Sequence, residues 1–264
     1  MLLESSAENP KHNYISILQI SPVSICITTQ LVVMKKKSLN LLLSLVLFSC
    51  ISHAQKDKWI VLFDGKSTDK LRGYAMDSFP SSAWKVEDGA LMTLTGVPNI
   101  DLVTKDEFKN FELVLEWKTS VGGNSGVFYH VHENIKHESG NGNSPNWLDN
   151  FEMQILDDIN FPDKAPIRSA GSLYDLIIPT NKTLKPIGEY NEAKLIVKGN
   201  HVEHWLNGKK IVEYENGSDA MKQLLAKSKF KDNPGYGTSP NGLIMFQHHG
   251  QQMWFKNIKV RRLD

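Results

Sequence analysis

The residues best suited to chemistry lie in one short pattern, Phe151-Glu152-Met153-Gln154-Ile155-Leu156-Asp157. Side chains alternate along a strand, so Phe151, Met153 and Ile155 belong to one face while Glu152 and Gln154 belong to the other. A carboxylate that can trade a proton, an amide that can donate and accept, and a further acid at Asp157 are what a polar cleft on a sheet requires. The solvated side of an ordinary antiparallel sheet reads the same way, so the neighbours decide. In residues 111–118, Leu113, Leu115 and Trp117 share one face and Glu112, Glu116 and Lys118 the other, which makes Glu116 and Lys118 candidates for the face of Glu152. Along residues 124–132, alternation groups Asn124, Phe128, His130 and His132 against Val127, Tyr129 and Val131. Histidine titrates near ~6.5 and suits proton transfer. Two histidines at i and i+2 could also hold a divalent cation, although spacing fixes no third ligand. Gln247 and His249 share a face where the run 242–250 leaves its strand, and Tyr174 is a hydrogen-bond contact or proton donor.

Short strands and tight turns must position these groups. Residues 59–63 end at Asp64-Gly65. Asp88-Gly89 joins two strands, as does Asn207-Gly208 between residues 201–206 and 209–214. Both dipeptides favour the turns that match strand twist. A glycine-rich stretch, Gly122-Gly123-Asn124-Ser125-Gly126, leads into the His130 strand, where glycine permits close approach or simply bends the chain. Residues 133–150 read as a surface loop, with Trp147 a platform at its rim or an anchor of the loop itself. Residues 221–230 form the expected short helix, and residues 253–260 the closing strand. Many strands and little helix indicate a jelly-roll β-sandwich of two antiparallel sheets, all-β, with no fixed-period repeat.

The 264-residue chain carries 30 basic and 29 acidic residues, with no basic block beyond its amino-terminal region. This argues against nucleic acid as a partner. Met34-Lys35-Lys36-Lys37, the apolar run Leu39 to Phe48 and the small residues before Gln55 form a secretory signal, residues 34–54. The run is too short to span a bilayer. Residues 1–33 then read as an over-extended start and residues 55–264 as a single domain, placed in the periplasm or outside the cell. Leu47-Phe48-Ser49-Cys50 resembles a lipoprotein cleavage box, so Cys50 is a candidate for lipid attachment. Cys26 is the other cysteine, which leaves the mature domain without thiols for a disulfide or metal site.

Several longer motifs occur in one order: Phe63-Asp64-Gly65-Lys66, the EWK of Glu116 to Lys118, GNSGVFYHV from Gly123, EMQILD from Glu152, AGSLYDL from Ala170, HWLNG from His204 and QHHG before a final FKNIKVRRL. Across residues 57–264 they resemble the secreted bacterial 3-keto-disaccharide hydrolase family. The resemblance implies a concanavalin-like jelly roll, a source among glycoside-degrading Bacteroidota, and cleavage of glycosides whose glucose is oxidised at carbon 3. It also adds His204 to the substrate-binding candidates Glu116, Lys118, Asn124, Gln154, Tyr174 and Gln247. A weaker resemblance is to laminarinase-type glycosidases with Glu-x-Asp-x-x-Glu on the catalytic strand; here the spacing survives as Glu152-x-Gln154-x-x-Asp157. A retaining mechanism needs two carboxyls about 5–5.5 Å apart, and the substituted pattern fits that poorly.

A carbon-3 ketone acidifies the carbon-2 proton, so the glycosidic oxygen can leave by elimination and water can add to the enone. The expectation is Glu152 or His130 as base, Gln154, Lys118 or a divalent metal at the enolate, and His249 or Asp157 protonating the leaving group. A carbohydrate-binding module and a conventional β-glucan glycosidase are the competing classes.

Overall fold

The structure is a computed structural model that describes residues 58–133 and 149–263. The readings of residues 1–33, of the 34–54 signal, of Cys50 and of Trp147 lie outside the described residues. In chain order the strands are β1 (Ile60–Phe63), β2 (Leu71–Gly73), β3 (Trp84–Glu87), β4 (Ala90–Thr93), β5 (Leu102–Thr104), β6 (Phe111–Thr119), β7 (Asn124–Val131), β8 (Glu152–Leu156), β9 (Asn191–Lys198), β10 (His201–Leu206), β11 (Lys209–Glu215), β12 (Leu243–Phe246) and β13 (Met253–Arg262). Helix α1 covers Asp219–Lys227, two residues earlier than the apolar pattern suggests, because Ser218 caps it by accepting the Met221 N–H at 3.2 Å.

All pairings are antiparallel and make two sheets. The larger runs β11-β10-β9-β6-β13-β4-β3, with β1 also on β13; the smaller runs β2-β5-β12-β7-β8. The β3–β4 and β10–β11 turns hold Asp88-Gly89 at φ 48° and 73° and Asn207-Gly208 at 48° and 79°, the left-handed pair that twists with the strands.

The core lies between the sheets. Phe111, Leu113, Leu115 and Trp117 of β6, Ala193, Leu195 and Val197 of β9 and Phe255, Ile258 and Val260 of β13 face Val127 and Tyr129 of β7, Met153 and Ile155 of β8 and Phe246 of β12. A bulge at Asn257, φ 52°, lets Phe255 and Ile258 both point inward although they are three apart. A second bulge corrects the reading of β7. His130 adopts φ 58°, the β7–β12 register shifts beside it, and Val131 joins Phe128 on the outer face instead of opposing it.

The smaller sheet is buried on both faces. Val103, Phe128, Val131, Leu243 and Met245 form a second apolar cluster on its outer side, with Tyr74 packed against them. That cluster floors the site.

Candidate active site on the outer face of the smaller sheet

Register places the floor residues in rows. Arg72 pairs with Val103, Val103 with Met245, Met245 with Phe128, and Phe128 with Glu152, one outward row across five strands. Glu152 is 6% exposed and Gln154 4% exposed. Gly126 pairs with Gln154, and the Glu152 carboxyl lies over it: a Cβ at 126 would stand 2.7 Å from Glu152 Cδ and 2.8 Å from Cγ, and closer still to Oε1. Glycine is the residue that leaves this space. With its amide nitrogen turned to these acceptors, Gln154 donates to Glu152 Oε1 and to Ser125 O, each at 2.9 Å. Burial pushes the Glu152 carboxyl up to about 8; the Lys229 ammonium opposes this and the nearby Asp101 carboxyl adds to it. Glu152 therefore carries a proton at neutral pH.

Tyr174 and Lys229 wall one side. The Tyr174 N–H donates to Glu152 O at 3.0 Å, and Lys229 Nζ donates to Tyr174 Oη at 3.1 Å while lying 4.2 Å from the ring centroid. Behind them Arg168 bonds Asp175 at 2.7 Å and Asp163 at 2.9 Å, fixing the turn that carries Tyr174. At the other end Arg72 clamps Glu133 with two bonds of 2.6 and 2.7 Å.

Of the sequence candidates, Glu152, Gln154 and Tyr174 meet here. Asn124 and, by alternation from Met245, Gln247 share the face; Gln247 is bound to Gly126 O through its backbone N–H at 3.0 Å. The others are elsewhere. Glu116 and Lys118 are on the outer face of the larger sheet, where Glu116 meets Asn257 Nδ2 at 2.6 Å and Lys256 at 3.3 Å, and Lys118 Nζ lies 4.5 Å from the Trp254 ring and 5.0 Å from Tyr190. Alternation tells which face of a strand a residue takes, not which sheet.

His130 aims its two ring nitrogens at Lys109 O, 2.9 Å, and Ser239 O, 3.0 Å, and its ring edges against Phe111, so neither nitrogen is offered to Glu152 or to a chelate with His132. Burial lowers its affinity for a proton more than those carbonyls raise it. Asp157 is on the opposite parity to Glu152. It accepts Gly122 N–H at 2.7 Å, Ile159 and Asn160 N–H at 3.0 and 3.1 Å, and Asn160 Nδ2 at 2.7 Å. Burial would raise its carboxyl, but these donors together hold it low, and Asp157 pins a turn. His204 is fully buried between the sheets with Nδ1 donating to Gly171 O at 3.1 Å, and burial drives it down to about 4. Its parity with Val202 and Leu206 carried that signal. His249 is exposed beside Gln251 Oε1, 2.9 Å, and Phe161.

Sequence reasoning passed over Asp101, Lys229 and Gly126 as parts of the site. In the sequence Gly126 reads only as a place of close approach. Asp101 precedes a three-residue strand, too short for alternation to register, and Lys229 follows α1 in a polar stretch. Among the described residues one trio has ligand atoms close enough for a metal, His201, Glu203 and Glu213, within 4.8 Å of one another. Lys210 binds both carboxylates at 3.3 and 2.7 Å and His201 bridges them, which makes a salt-bridge cluster on the larger sheet.

The fold is a jelly-roll sandwich of two antiparallel sheets whose smaller sheet holds a buried carboxyl among polar side chains. Residues 58–261 match the model of the 3-keto-alpha-glucoside-1,2-lyase-like domain, and the chain belongs to that family. It is 37% identical to a curated 3-keto-disaccharide hydrolase of Bacteroides thetaiotaomicron, over 79% of each chain. Two crystal structures from Parabacteroides distasonis, both named for glycosyl hydrolases, superpose with TM-scores of 0.70 and 0.58 at 32% and 29% identity; each covers 78% of this chain, and the match spans 94% and 100% of theirs. The chain is thus a hydrolase-type enzyme acting on carbohydrate. Among the described residues no helix is long and apolar enough to cross a membrane.

Proposed function

We propose that this enzyme cleaves 3-keto-glycosides, including 3-keto-disaccharides, by elimination and hydration. The ketone at carbon 3 acidifies the carbon-2 proton; its removal gives an enolate, the carbon-1 oxygen departs, and water adds to the enone. The observation that carries the reading is the Glu152 carboxyl, 6% exposed on a face that also presents Tyr174 and Lys229, where burial pushes it up to about 8. A neutral carboxylic acid can protonate a departing oxygen at neutral pH, so Glu152 is the leaving-group acid and not the base its sequence position suggested. The Lys229 ammonium and Tyr174 hydroxyl are the donors for enolate charge. The homologue named as a 3-keto-disaccharide hydrolase supports the same substrate class.

Protein beginning at Gln55 is offered a 3-keto-disaccharide and, in parallel, the unoxidised disaccharide. Release of 3-ketoglucose from the oxidised substrate alone is expected. Cleavage of the unoxidised one, or of neither, would overturn the reading. Export through residues 34–54 belongs to the same proposal, with the periplasm or cell exterior as the place of work and lipidation at Cys50 as the alternative processing. The mass of the mature amino-terminal peptide from the native host decides: a free terminus at Gln55 is expected, and a diacylated Cys50 or an uncut signal would contradict it.

A further inference from the structure

An elimination site needs a base as well as an acid, and the row next to that of Glu152 holds one. Asp101 precedes Leu102, which pairs with Phe246, so the antiparallel register sets Asp101 opposite Gln247. Gln247 is bound in turn to Gly126, and Gly126 pairs with Gln154. Asp101, Gln247, Gly126 and Gln154 therefore form one outward row, and the Glu152 carboxyl fills the gap that Gly126 leaves in it. At about 4.8 Å per strand, Asp101 stands two strands, about 10 Å at the backbone, from the place where the Glu152 carboxyl lies. A sugar laid over the row at Gln247 would have one acid at each end. Asp101 is 7% exposed, and its Oδ1 accepts the His248 N–H at 2.6 Å, a backbone donor that favours the ionised form. Asp101 meets the backbone N–H of His248, and the Glu152 carboxyl feels both Asp101 and the Lys229 ammonium.

We propose that Asp101 is a catalytic residue of this site, the base that removes the carbon-2 proton across the bound sugar from Glu152. The assignment rests on the elimination reading. The Asp101 carboxylate takes the proton; the C–H pair becomes the enolate; the enolate expels the carbon-1 oxygen, which takes the proton of Glu152, and a carbon-1–carbon-2 double bond forms. Water then adds at carbon 1, giving its proton to the Glu152 carboxylate, and Asp101 returns its proton to carbon 2. Both acids end as they began, and nothing is oxidised or reduced overall. Burial pushes Asp101 up to about 7 against the lowering by the His248 N–H, and Glu152 up to about 8.

The test uses a 1-deoxy-3-ketoglucose, which has no leaving group, in D2O, and follows exchange of the carbon-2 hydrogen by NMR beside cleavage of a 3-keto-disaccharide. Wild type is expected to exchange, Glu152→Gln to exchange while cleaving poorly, and Asp101→Asn to lose exchange by at least about 100-fold at an unchanged melting temperature. Asp101→Glu, which keeps an ionisable group, should restore part of the exchange; no restoration would mean that Asp101 only supports the His248 backbone, and would overturn the role. Exchange at the wild-type rate by Asp101→Asn, or its loss in Glu152→Gln instead, would overturn it too. A wild type that cleaves the disaccharide without exchanging the deoxy sugar would refute elimination itself and the base with it.

Discussion

Carboxylates line both outer faces of the sandwich, and the two sets are held in opposite ways. On the larger sheet Glu112, Glu116 and Glu203 have donors at hand: Glu112 with Arg261 at 2.8 Å, Glu116 with Lys256 and Asn257, and Glu203 with Trp205 Nε1 at 2.6 Å and with His201 and Lys210 at 3.3 Å. Burial would raise Glu203, but those bonds together hold it below its ordinary value. On the smaller sheet Glu152 and Asp101 are sunk beside an apolar floor of Phe128, Met245 and Val103, and burial lifts them to about 8 and about 7. Residue type is shared; desolvation against donor count decides the charge. A face of ions paired with several donors is a surface, and a face of buried acids with few donors can move protons.

The sharpest way to break this comparison is to remove one acid from each face. Glu152→Gln should lower kcat/KM for a 3-keto-disaccharide by about 10²–10⁴-fold, the usual range for a lost acid–base group, whereas Glu116→Gln should stay within about twofold, since its interactions are exposed and weak. Steady-state kinetics on both variants decides. Next in size is Gly126→Ala. The new methyl displaces the Glu152 carboxyl and should cost about 100-fold in kcat, as a displacement near 1 Å does, with about 1–3 kcal/mol of stability lost to overpacking; kinetics and denaturant melts together read this.

The third prediction concerns pH and stability. The folded protein binds the Glu152 proton more tightly than the unfolded chain does, so the stabilisation is complete below the ordinary value of 4.5 and is lost as pH rises through about 8. Between those limits unfolding free energy should fall with pH by up to about 1.4 kcal/mol per unit for this one group. Glu152→Gln should flatten that slope, and urea melts from pH 5 to pH 8 check it. Smallest is Lys118→Ala on the larger sheet. It removes contacts with Trp254 and Tyr190 and should cost under about 1 kcal/mol, leaving kcat/KM unchanged in the same assay.

Much of the fold was legible because its strands obey local rules. The strict alternation of β6, the Asp88-Gly89 and Asn207-Gly208 turns and the outward pairing of Glu152 with Gln154 are all present as read. What failed was whatever needed a third dimension. Glu116 and Glu152 alternate alike on strands of different sheets. A single left-handed residue at His130 reverses the parity that followed it, and no motif announces such a bulge. Asp157 keeps the spacing of a catalytic triad yet closes a turn, because the strand ends at Leu156. Asp101 was invisible because its importance comes from the register of four strands remote in sequence.

The central claim is that burial keeps Glu152 protonated at neutral pH, while the donors around Glu203 on the opposite face hold that carboxyl low. Infrared difference spectroscopy between wild type and Glu152→Gln, titrated from pH 5 to pH 10, tests it most directly. A protonated-carboxyl band missing from the variant, present at pH 7 and disappearing near pH 8, is the predicted result. A Glu152 that shows only the ionised band at pH 6 would contradict it.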